Sequence, residues 1–77
     1  MSPTWLSKRS VLIAGHKTSV SLEDAFWQAL KRLAGERGQS LAQLIAEVDR
    51  GRTGNLSSAL RVFALDAVEE RRKVDAV

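Results

Sequence analysis

Between His16 and Leu22 the chain reads H-K-T-S-V-S-L, an alternation that fits an extended strand. Thr18, Val20 and Leu22 fall on one side of such a strand and Lys17, Ser19 and Ser21 on the other, because successive side chains point to opposite faces. One short strand with a single apolar face is not stable alone. It needs a neighbour for its backbone and a core beneath it. No second stretch of matching length alternates as cleanly, so we expect the neighbouring strand to come from another copy of the chain. The strand is placed at Lys17–Ser21. Residues 10–15 are open: Val11, Leu12 and Ile13 suit a strand. In one straight strand to Leu22, however, Val11 and Ile13 would share the face of Lys17 and Ser19. A bulge or turn at Gly15 would reset that phase.

Size points the same way. Seventy-seven residues make one domain with a modest core. Chains this short add disulfides, a metal or oligomerisation. There is no cysteine, which removes disulfides, thiolate ligands and a cysteine nucleophile. One histidine, His16, argues against a zinc site, which needs three or four protein ligands. Oligomerisation remains. No apolar run reaches the roughly 18–20 residues of a membrane span, and Val11–Ala14 is too short for a signal-peptide core. We therefore expect a soluble cytoplasmic protein with no membrane contact.

After the strand the pattern turns helical. Ser21 is read as an N-cap with Asp24 three residues on, and Glu23 and Asp24 suit the positive end of the helix dipole. Apolar residues at 22, 26, 30, 33 and 34 form one helical face, which Trp27 widens. Gly38 follows as the glycine that ends the helix. Ser40 with Gln43 forms a capping box for a second helix whose stripe is Leu41, Leu44, Ile45 and Val48. The stretch D-R-G-R-T-G-N, Asp49 to Asn55, breaks it. A third helix starts near Asn55 or Ser57 and runs to about Arg72. Its apolar residues cover more than one face, so a second chain should bury one side. Residues 1–8 are read as a flexible arm, 9–72 as the domain and 73–77 as a frayed tail. Trp5 in the arm is assigned to packing on the body, with a partner contact as the alternative.

Charge narrows the function. Lys8, Arg9 and Lys17 lie in the first 22 residues with no acid, while the remainder holds nine basic and nine acidic residues. The whole net charge of +3 therefore sits on the strand segment, and a dimer would double it into a field that attracts polyanions. Enzyme chemistry finds no footing. There is no tyrosine or cysteine, no H-E-x-x-H, G-x-S-x-G or phosphate-binding loop motif. The pairs Glu23–Asp24 and Glu69–Glu70 fit a helix start and a solvated helix face better than acid–base work. We expect no catalytic residue, no cofactor and no metal. A helix-turn-helix is also disfavoured, because Leu41–Val48 offers Gln43 and Glu47 and no basic residue for a groove.

A two-stranded ribbon, by contrast, fits the major groove of DNA. K-T-S-V-S-L-E-D-A-F-W, then E-R-G-Q-S-L-A-Q-L-I-A-E-V, together resemble the ribbon-helix-helix family of Arc/MetJ-type DNA-binding proteins. N-L-S-S-A-L-R-V-F-A-L resembles the extra C-terminal helix of a small bacterial subgroup. The resemblance spans roughly Arg9 to Val68. It implies a mainly α fold with one short strand, β-α-α-α, whose strands pair between chains as an antiparallel ribbon in an intertwined homodimer. It further implies sequence-specific binding of double-stranded DNA and a role in transcription regulation. Carried over by position, Lys17, Ser19 and Ser21 would contact bases, although Ser21 is also claimed as a cap. Ser40, Leu41 and Ala42 would clamp a phosphate at a helix N-terminus. The family's strand usually shows more polar reach than one lysine, so Lys8, Arg9 and His16 are assigned to flanking phosphates, with Arg50 and Arg52 as secondary candidates. Several dimers side by side would add affinity. The rival reading is a protein-interaction module, antitoxin-like or scaffold, built on the same dimer core with a protein partner.

Overall fold

The strand that lacked a neighbour has one, and it belongs to the same chain. The computed structural model describes residues 6–75, with side chains described through Arg72. Its elements are β1 (Leu6–Ile13), β2 (His16–Glu23), α1 (Asp24–Glu36), α2 (Leu41–Gly51) and α3 (Leu56–Asp75). The two strands form an antiparallel hairpin with Ile13 opposite His16, Val11 opposite Thr18 and Ser7 opposite Leu22. The expected order β-α-α-α is thus corrected to β-β-α-α-α, and the neighbour of the His16–Leu22 stretch is β1 rather than a second copy. Within the described residues the far edge of β2 stays unpaired.

The turn explains the phase conflict around residues 10–15. Ala14 and Gly15 both hold positive φ, 50° and 82°, the signature of a type I′ turn, whose twist matches that of the strands it joins. Reversing the chain over two residues puts Val11 and Ile13 on the face of Thr18, Val20 and Leu22, over the core. β1 also takes in Leu6, Ser7 and Lys8, which the sequence assigned to an arm. Trp5 lies outside the described residues.

The extra length of β2 displaces the first cap. Leu22 stays in the ladder opposite Ser7, so the strand continues through Glu23 and α1 begins at Asp24. Glu23, not Ser21, is the N-cap residue, and its side chain makes no capping bond. The other ends follow local rules. Gly38 has φ 67°, Gln39 N–H donates to the Ala34 carbonyl at 2.9 Å, and Gly38 N–H donates to Gly35 at 3.1 Å. This is a Schellman closure. At α2, Gln43 N–H donates to Ser40 Oγ at 3.1 Å and Ser40 N–H to Gln43 Oε1 at 2.8 Å, the expected capping box. α2 runs on to Gly51, past the expected break at Asp49. Asn55 Oδ1 caps α3 by accepting from Ser58 N–H.

The core lies between the sheet and the three helices. Val20 and Leu22 from β2 meet Trp27 and Leu30 of α1, Leu44 and Ile45 of α2, and Leu60 of α3, all fully buried. Trp27 places its one polar atom by donating its indole N–H to the Ser7 carbonyl at 2.9 Å. β1 lies over α2, while β2 lies over α1 and α3. α3 buries Leu56, Leu60 and Ala64, but Val62, Leu65 and Val68 on its other side are 57%, 56% and 47% exposed.

The hairpin turn gives a direct test. A Cβ at Gly15 would meet nothing within 4 Å, so substitution there costs backbone energy and not space. Gly15→Val should lower stability by about 1–2 kcal/mol. Ala14→Asn should raise it by roughly 0.5–1 kcal/mol, because asparagine accepts positive φ more readily than alanine. Urea unfolding of both variants checks this, and a lower midpoint for Ala14→Asn contradicts the type I′ assignment.

Candidate nucleic-acid interface

The hairpin sorts its residues into two chemically different faces. Cross-strand partners share a face, so the outward side carries Lys8 opposite Ser21, Ser10 opposite Ser19 and Leu12 opposite Lys17. The turn hydrogen bond runs between Ile13 and His16, and bonded pairs alternate from there. The three outward pairs are therefore the non-bonded ones, in which side chains stand closest. Lys8, Ser10, Leu12, Lys17 and Ser19 are exposed and Ser21 is half-buried. Neither lysine has an ion-pair partner among the described residues.

One acid ends this face, and it is already engaged. Glu23 Oε1 accepts from Arg61 Nε of α3 at 2.9 Å. The hydrogen bond and charge of Arg61, with the residue's own backbone amide, hold the Glu23 carboxyl below the usual carboxylate range. Its charge is matched locally, which leaves the lysines to set the potential of the outward face.

The expected contact residues do not all gather there. Lys17, Ser19 and Ser21 do, and the conflict over Ser21 disappears because Glu23 caps the helix. Lys8 joins them across the ladder. Arg9 falls on the inner face, with its guanidinium 4.9 Å from the centre of the Trp27 ring. It covers a buried indole. His16 is exposed beside the turn, but its partner Ile13 places it on the inner face and not with the lysines. At the start of α2 the capping box occupies the Gln43 amide, so Leu41 and Ala42 hold the first-turn N–H groups that lack an acceptor within the helix. Arg52 is committed to its loop, donating to Asp49 Oδ1 at 2.6 Å and to the Gly54 carbonyl. Arg50 stays exposed in the last turn of α2. Ser10 and Leu12 were not anticipated on the outward face. Their placement depends on the Ala14–Gly15 turn, and the only sign of that turn was the glycine.

Two substitutions separate structural from surface roles. Arg9→Ala should lower stability by about 0.5–1 kcal/mol through loss of the cation–π contact, readable as a shift in the urea midpoint. No shift contradicts the covering role. Glu23 has a lowered folded pKa, so its stabilisation is present above the ordinary carboxylate range and is lost as pH falls through the lowered value. Glu23→Gln should remove that part of the acid limb in a stability–pH profile. An unchanged limb contradicts the Arg61 pairing.

A ribbon-helix-helix domain family matches residues 6–68, including both strands and most of α3. A solved structure of an uncharacterized protein from Bordetella pertussis Tohama I is similar, with 32% identity and a TM-score of 0.79. The similarity covers 91% of this chain and 61% of that one, so this chain spans less than two thirds of the other's length. No curated protein matches the chain. Members of the family are generally DNA-binding transcription regulators or antitoxins. With both strands, the capped second helix and most of α3 inside the matched span, the chain belongs to the ribbon-helix-helix domain family.

Proposed function

We propose that the chain binds double-stranded DNA in a sequence-specific way through the outward face of its sheet, as a homodimer, and regulates transcription. The observation that carries this is the outward face itself: two lysines with no ion-pair partner among the described residues, around a floor of serines, with the Glu23 carboxylate held by Arg61. Phosphate contacts set affinity, while groups reaching base edges set specificity.

Two features support the dimer, one on the sheet and one beneath it. The backbone groups of Lys17, Ser19 and Ser21 point away from β1, because the bonded pairs of the hairpin are the intervening ones. An open edge of this kind is a template for another strand. Below the β2 side, Ala25, Phe26, Ala29, Val62, Leu65 and Val68 line an apolar groove between α1 and α3. Antiparallel pairing of β2 with its copy would set the two grooves against each other. The intertwined ribbon is then the centre of a four-stranded sheet, β1-β2-β2-β1.

Widths assign the roles. At about 4.8 Å per strand the outer strands stand roughly 14 Å apart, more than the approximately 12 Å of the major groove. The two β2 strands reach base edges with Lys17, Ser19 and Ser21, and the two β1 strands ride the groove walls, where Lys8 meets phosphate. The Leu41 and Ala42 amides are further phosphate contacts, and His16 joins them only from the exposed tip of the hairpin. Arg9, tied to Trp27, is not.

Lys17→Ala should weaken binding to a selected duplex by about 1–3 kcal/mol per half-site and reduce the salt slope by about one for each lysine removed. Titration at two salt concentrations measures both, and no change in either removes β2 from the interface. Leu65→Asp should convert a dimer of twice the 8.5 kDa chain mass into a monomer by light scattering at micromolar concentration. A wild-type monomer overturns the dimer. A wild-type dimer that ignores duplex DNA even at low salt supports the protein-interaction reading instead.

A further inference from the structure

The outward face carries two exposed leucines that electrostatics does not explain, Leu6 at its far end and Leu12 near the turn. Leu12 of β1 is 62% exposed, among Ser10, Ser19 and Lys17, while Leu6 lies at the other end of the face. Leu12 stands directly opposite Lys17 in a non-bonded pair, where Cα atoms are about 4.5 Å apart and side chains touch most closely. The two-residue turn that joins them fixes this neighbourhood, since Leu12 and Lys17 are one position beyond its flanking pair. An exposed leucine is ordinary on a surface. One fixed beside the central lysine of a face that meets DNA is a chemical probe.

Resting on the DNA-binding reading above, we infer that Leu12 is a specificity-determining residue that reads the 5-methyl group of thymine next to the base contacted by Lys17. The major groove distinguishes thymine by that methyl, and apolar side chains are what recognise it. The methyl projects from the side of the base edge nearest its own backbone. That is the flank over which β1 lies when β2 occupies the middle of the groove. Lysine favours guanine O6 and N7, so the pair reads a guanine and a neighbouring thymine as one unit. Leu6, also outward, sits at the far end of the hairpin, where its cross-strand partner is the carboxylate Glu23 and not a lysine.

The test uses the duplex that the wild-type protein enriches from a random pool, with each thymine replaced in turn by deoxyuridine. Removing one methyl contact of roughly 0.8 kcal/mol should weaken wild-type binding about fourfold at one position per half-site. Leu12→Ala should bind the thymine duplex about fourfold less well per half-site and be indifferent to deoxyuridine at that position, with the salt slope unchanged. Circular dichroism checks that the variant folds, and the deoxyuridine series needs no variant at all. If the wild-type protein is insensitive to every replacement, or if Leu12→Ala keeps the full sensitivity, the inference is wrong while DNA binding stands. If no duplex binds at low salt, or Lys17→Ala changes neither affinity nor salt slope, the DNA-binding reading falls and takes this inference with it.

Discussion

Everything on the functional face depends on the pairing of β1 with β2, closed by Ala14 and Gly15 at positive φ. That turn decides which face each residue of β1 occupies. It sends Ile13 and Val11 to the core and leaves Lys8, Ser10 and Leu12 outside. A shift of one residue would exchange the two sets and empty the core of its β1 contribution. The inner face is held by Val20 and Leu22 over Trp27, whose indole N–H ties β1 down at Ser7. Arg9 closes the remaining gap over the same ring. One buried tryptophan thus links the sheet to α1 and fixes the plane from which the lysines project.

The helices were legible because their ends are written locally. Ser40 with Gln43 and the glycine at 38 act within a few residues of themselves, and both do what their chemistry suggests. β1 was not legible, for a reason its own contacts show. Its core-facing positions hold Ser7 and Arg9, so polarity does not alternate along it, and Arg9 belongs inside only because Trp27, eighteen residues later, offers a ring to stack on. The turn carried a weak sign as well, since alanine is a poor residue for positive φ. Ser21 was misread as a cap for a related reason. The S-x-x-D pattern is present, but the ladder bond of Leu22 to Ser7 keeps the strand going past it.

The candidate site was half visible. Alternation alone places Lys17, Ser19 and Ser21 on one face of β2, whatever stands beside that strand. The contribution of β1 to that face depends on long-range pairing that no local pattern encodes. The open edge of β2 and the exposed Val62, Leu65 and Val68 on α3 then stand out as the unfinished parts of the fold. The doubly apolar third helix expected from the sequence is present, with one side spent on the core of its own chain.

The most direct measurement is amide hydrogen exchange along the outer edge of β2. In the homodimer proposed here, the Lys17, Ser19 and Ser21 amides alternate with those bonded to β1 and bond to the second copy. Their exchange should be slow at concentrations where the dimer is populated and should quicken on dilution, while Thr18 and Val20 stay protected throughout. Fast, concentration-independent exchange at Ser19 and Ser21 beside protected Thr18 and Val20 would show that the hairpin stands alone, and would contradict the account of the sheet as a paired DNA-reading surface.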